Sequence, residues 1–139
     1  MSLSIRNQIP GTVTAVTPGE VMATVGVRLV GGQEVTAAIT RESAEELGLA
    51  AGSAVRALIK STEVSLATGA VDGLSIRNQL PGTVSDVATG GAMAGVKVSV
   101  DGAELTAAIT KDAVTDLGLE AGSTVTALIK STEISLATA

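Results

Sequence analysis

From Val21 to Leu29 the chain alternates. Val21, Ala23, Val25, Val27 and Leu29 share one parity, and Met22, Thr24, Gly26 and Arg28 the other. A period of two marks a strand with one buried face. Val35, Ala37 and Ile39 repeat it, as do Val55, Ala57 and Ile59. "GTVTAV" opens an earlier strand and "EVSLAT" closes the series, with Gly-rich turns between the runs. Only "TRESAEELGL", Thr40 to Leu49, breaks the alternation. Thr40 suits a helix N-cap, Glu42, Glu45 and Glu46 suit a helix start, and Gly48 a stop, so a short helix is predicted there.

The pattern then recurs. "LSIRNQ" at 3–8 returns at 74–79, and "IKSTEVSLAT" at 59–68 returns as "IKSTEISLAT" at 129–138. One residue is lost where "VGGQE" becomes "DGAE", a hairpin turn that tolerates the deletion. The chain therefore reads as a tandem repeat of units of roughly 66 residues. The expected organisation is a first domain at 1–68, a short linker at 69–73 and a second domain at 74–139. Five strands and one short helix per unit predict a mainly β fold, a tandem pair of OB-like five-stranded β-barrels. Units this small are marginal alone, so close packing of the two and a symmetric oligomer are expected.

Composition narrows the chemistry. There is no Phe, Tyr or Trp, so Val, Leu, Ile, Ala and Met must fill the core, which suits a narrow barrel. There is no Cys and no His, which removes disulfides, thiolate catalysis, the usual zinc ligands and the commonest general base. No pair of acids recurs as a motif either, so an enzyme is not expected. No signal peptide and no membrane span are visible, and a cytoplasmic home is the default. The net charge of −5 disfavours nucleic acid, and no aromatic side chain is present to stack a base. An anion site on such a chain has to be a local cage of donors.

The two copies, compared with each other, point to that cage. Only three positions are cationic in both: Arg6/Arg77, Arg41/Lys111 and Lys60/Lys130. Around them recur Ser4/Ser75, Asn7/Asn78, Ser61/Ser131 and Thr62/Thr132. These groups are chiefly hydrogen-bond donors, and the N–H groups of a helix start at Thr40 or Thr110 would add more. A cage of donors fits a fully deprotonated oxyanion such as molybdate, tungstate or sulfate, and disfavours hydrogen phosphate, whose proton needs an acceptor. The plainer alternatives are a Lys60–Glu63 ion pair, Arg6 paired with a nearby Glu, threonines that only cap helices, and asparagines that serve the turn before "PG".

These residues carry a family resemblance. "LSIRNQIPGTV" and "LSIRNQLPGTV" resemble the S-A-R-N-x-x-x-G opening of the Mop domain, also called TOBE. "AAIT…S…LGL…G" followed by "ALIKST" resembles the remainder, so nearly the whole chain is covered, twice. The chain is similar to the two-domain molbindins. That resemblance implies an OB-like unit per copy and a homotrimer binding molybdate or tungstate between units. It implies no chemistry on the ion, and a role in storage and homeostasis of the oxyanion. Carried over by position, the ligands are Ser4, Arg6, Thr40, Ser43, Lys60 and Ser61, then Ser75, Arg77, Thr110, Lys130 and Ser131. Ala113 replaces the hydroxyl of Ser43 in the second copy, so sites using the second helix are expected either to be weaker or to lean on backbone N–H groups instead. Asn7 and Asn78 are the candidates for a second class of site, and Glu63/Glu133 for orienting the lysines.

Two rival functions remain at this point. Mop pairs also occur attached to DNA-binding or transport-ATPase domains, so an oxyanion-sensing regulatory module acting through a protein partner is the alternative. No helix-turn-helix and no G-x-x-x-x-G-K-[ST] is visible, which favours a free-standing binding protein. A nucleic-acid-binding OB module is the weaker rival, for the reasons of charge and aromatic content above.

Overall fold

The computed structural model describes all 139 residues. The first copy contributes β1 (Asn7–Pro18), β2 (Met22–Leu29), β3 (Glu34–Thr40), α1 (Arg41–Glu46), β4 (Ala54–Ile59), a 3-10 turn (Ser61–Glu63) and β5 (Ser65–Ala67). The second contributes β6 (Asn78–Thr89), β7 (Met93–Val100), β8 (Ala103–Thr110), α2 (Lys111–Leu117), β9 (Thr124–Ile129), a second 3-10 turn (Ser131–Glu133) and β10 (Ile134–Thr138).

The alternation in the sequence becomes alternation of burial. In β2, Ala23, Val25, Val27 and Leu29 face inward while Met22, Thr24 and Arg28 face out. Val21 lies just before the strand and is exposed, so the inward face begins at Ala23. β1 starts at Asn7, four residues before the expected "GTVTAV" run, and a bulge between Val13 and Ala15 bends it across the core. Gly11 is needed there, because a Cβ would stand 2.8 Å from the Arg28 carbonyl oxygen of β2.

Two antiparallel five-stranded sheets result, in the orders β10-β4-β1-β2-β3 and β5-β9-β6-β7-β8. Each curls round its inner face, and in the first β10 comes to pack beside β3. The mainly β fold of paired OB-like units is thus present. The sheets nevertheless do not coincide with the sequence repeats. β10, from the second copy, completes the first sheet, with Ile134 opposite Ile59 and Leu136 opposite Ala57. β5, from the first copy, completes the second, with Ser65 opposite Leu128 and Leu66 opposite Ala127. The copies exchange their last strands.

One hydrophobic cluster runs through both halves, from Ile9, Val13 and Val25 to Ile129 and Ile134. Ile59, Leu105, Ile129 and Ile134 are its largest fully buried side chains. Among the buried residues only Asn7 and Asn78 are polar.

Candidate functional site

The β1–β4 ladder ends at the pair Asn7–Ile59. From that last rung the chain leaves in two directions, through Arg6 toward Ser4 and through Lys60 into the 3-10 turn. Ser4, Ile5, Arg6, Lys60, Ser61 and Thr62 therefore line one open pocket. The second copy has the same ladder end, Asn78–Ile129, flanked by Arg77 and Lys130. Words far apart in the sequence meet because an antiparallel pair brings the start of one strand to the end of the other.

The charges sort in an informative way. The chain holds two ion pairs, Arg28–Glu34 at 3.2 Å and Arg41–Glu45 at 2.9 Å. Arg56, which does not recur, donates to the Gln8 amide oxygen at 2.9 Å. Arg6, Lys60, Arg77 and Lys130, which do recur, meet no carboxylate. The plainer reading of Lys60 as a partner of Glu63 is thereby corrected, and so is the idea that Glu63 or Glu133 orients the lysine. Each glutamate closes the 3-10 turn through its backbone N–H, which donates to the Lys60 or Lys130 carbonyl at 3.0 and 2.9 Å. Arg6 instead folds back, its Nε donating to the Ser4 carbonyl at 3.2 Å.

The hydroxyls beside those lysines are also without partners. Ser61 Oγ and Ser131 Oγ are buried, yet neither makes a hydrogen bond within the chain. An unsatisfied buried hydroxyl costs about 1–3 kcal/mol. The same cost at equivalent places in both copies argues for a shared cause.

The helix residues lie elsewhere. Thr40 lines a separate pocket with Glu20, Val21, Arg41, Glu42 and Glu45. Its Oγ1 accepts from the Ser43 N–H at 3.1 Å and lies 2.7 Å from Ser43 Oγ. Thr110 Oγ1 likewise accepts from the Ala113 N–H at 3.1 Å. Both threonines cap their helices. The helices have six and seven residues, so their end charges are small. Thr40 thus lines a pocket apart from that of Arg6 and Lys60.

Asn7 and Asn78 require the clearest correction. Neither serves a turn, and both side chains are engaged with backbone groups of the opposite sheet. At 3% and 4% exposure they are core residues. Asn7 Oδ1 accepts from the Thr106 N–H at 2.7 Å, and its Nδ2 donates to the Thr106 carbonyl at 2.9 Å. Asn78 does the same to Thr36 of β3, at 2.8 and 2.9 Å, and also donates to the Ile129 carbonyl at 3.0 Å. Each amide stands in for a neighbouring strand along the free edge of the other sheet. A sequence signal existed: Asn7 has the parity of Ile9 and Val13, the buried face of β1.

Comparison with known proteins follows these lines. The family model described as the TOBE domain matches residues 3–66 and 74–136. The molybdenum transport protein ModE of Herbaspirillum seropedicae is 41% identical over 139 residues, which is 99% of this chain and 52% of that protein. The molybdenum-pterin-binding protein MopB of Rhodobacter capsulatus is 41% identical over 136 residues, 96% of this chain and 50% of its own. The chain thus spans about half the length of these curated relatives. A crystal structure of the cytoplasmic molybdate-binding protein ModG with molybdate bound superimposes with a TM-score of 0.96 at 41% identity, covering 100% of both chains.

Proposed function

The chain belongs to the TOBE domain family, with two copies of the domain, and on that premise we propose that it binds molybdate, or tungstate, as a tetrahedral oxyanion. One observation carries the reading. In both copies a buried serine hydroxyl without a partner, Ser61 or Ser131, adjoins a lysine without a carboxylate. Lys60 and Arg6 supply charge, while Ser4 and Ser61 supply direction. Charge-assisted hydrogen bonds of this type are the strong ones. The role assigned to these side chains is binding alone.

The pocket is open. Thr40, Ser43 and Thr110 are candidates for closing it from another copy of the chain, which makes the site a feature of an oligomer, a trimer by family resemblance. We assign the protein to storage and homeostasis of the oxyanion in the cytoplasm, where the similar ModG is described. No helix is long and apolar enough to cross a membrane. A second reading, a sensing module that acts through a protein partner, is favoured by the relatives named ModE, of which the chain spans about half.

Calorimetric titration of ion-free protein with molybdate, sulfate and phosphate tests the proposal. Tight molybdate binding with weak sulfate and no phosphate heat is expected. Absence of heat and of added mass with every oxyanion would overturn it.

A further inference from the structure

Every donor assigned to a pocket leaves the fold at one rung. Arg6 and Lys60 are the immediate neighbours of Asn7 and Ile59, the last pair of the β1–β4 ladder. Arg77 and Lys130 flank Asn78 and Ile129 in the same way. The separation and direction of the two cations follow from how firmly that rung is held. Beyond it the β1–β4 ladder, and likewise the β6–β9 ladder, has no further pair, although Ile134 of β10 still stands opposite Ile59.

Further support comes from the opposite sheet. The Asn7 amide grips both backbone groups of Thr106 on β8, and the Asn78 amide both backbone groups of Thr36 on β3. The 3-10 turn that begins at Ser61 packs on the same β8, and the turn that begins at Ser131 on the same β3. Each pair of cations therefore rests on two points of the opposite sheet. We infer that Asn7 and Asn78 are positioning residues, clamps that set the spacing of Arg6 with Lys60 and of Arg77 with Lys130. The inference rests on the oxyanion reading above and adds residues that do not touch the ion.

The residue type follows from the geometry. The position must donate and accept at once, at 3–4% exposure. Aspartate has no donor for the threonine carbonyl, and leucine has neither group, leaving a buried N–H and C=O unpaired. The clamp also links the ion to a measurable group. An anion bridging Arg6 and Lys60 ties down both chains leaving the rung, so the Asn7–Thr106 bonds open less often.

The test uses the full chain. In wild type, added molybdate should slow amide hydrogen exchange at Thr106 and Thr36 more than at residues of the outer strands. Asn7→Leu in a Lys130→Ala background, where only the first pocket is intact, should weaken molybdate about 10–100-fold, the usual loss for a supporting partner. Asn7→Leu with Lys60→Ala, which leaves only the second pocket, should bind as Lys60→Ala alone does. Unchanged exchange at Thr106 and Thr36 on saturation with molybdate, or unchanged affinity in folded Asn7→Leu, would reduce the asparagines to fold stabilisers and overturn the inference alone. Wild type that binds no molybdate would remove the oxyanion reading and this inference together. Should Asn7→Leu not fold, the wild-type exchange measurement decides.

Discussion

Ile134→Ala is the sharpest perturbation of the strand exchange. Ile134 belongs to the second copy by sequence but lies opposite Ile59 in the first sheet. It is 1% exposed and Ile59 is fully buried, so truncation leaves a cavity rather than a surface notch. Removing a buried isoleucine to alanine costs about 2–5 kcal/mol, the upper part where the surroundings cannot collapse. A value near 3 kcal/mol, at about 1.4 kcal/mol per decade, is roughly a hundredfold in an opening constant. Native-state hydrogen exchange reads where that loss falls. Protection should drop first at β4 (Val55, Ala57) and its neighbour β1, in the first half of the chain. Val64→Ala, the equivalent position before β5, should instead expose β9 (Val125, Ala127). If Ile134→Ala weakened β9 before β4, or if the two variants gave the same pattern, the exchanged topology would be refuted.

Three further outcomes are expected. Lys60→Ala with Lys130→Ala should weaken molybdate at least about tenfold, from the roughly 2–5 kcal/mol lost with one partner of a buried charged bond, while Arg28→Ala leaves the titration unchanged. Ser61→Ala should act with opposite signs. Ion-free protein should hold its stability or gain about 1 kcal/mol in chemical denaturation, because an unpaired buried hydroxyl is removed, while molybdate affinity falls. Thr40→Ala and Thr110→Ala should each cost about 1 kcal/mol of thermal stability in the ion-free protein, as lost helix caps.

Much of this molecule is legible as a string. Period-two runs located β2, β3 and β4, and the break at Thr40 located α1, because side-chain parity and capping are local properties. Arg6 and Lys60 recur and meet no carboxylate, but recurrence alone does not tell this, since Arg41 also recurs and pairs with Glu45. The strand exchange was not legible, and the reason is physical. β5 and β10 share "SLA", and β4 and β9 share "ALI", so either last strand fits either slot with nearly the same contacts. What chooses between the slots is the path of the connecting chain, which residue identity does not encode. The clamp formed by Asn7 is hidden in the sequence for a different reason. An amide flanked by Arg6 and Gln8 looks solvent-facing until parity places it beside Ile9. Its partner Thr106, 99 residues away, carries no sequence signal because only its backbone is used.

The exchange of last strands bears on how the protein comes off the ribosome. In a chain of two self-contained units the first can finish while the second is still being translated. Here β4 waits for residues 134–138, and β8 is held at Thr106 by an asparagine made 99 residues earlier. Throughout synthesis of the second copy the first sheet presents an open edge shaped for the strand "ISLAT". A neighbouring nascent chain on the same message carries that same strand. Polysome crowding, codon pace and a chaperone that covers β4 therefore become determinants of whether these chains close on themselves or on one another.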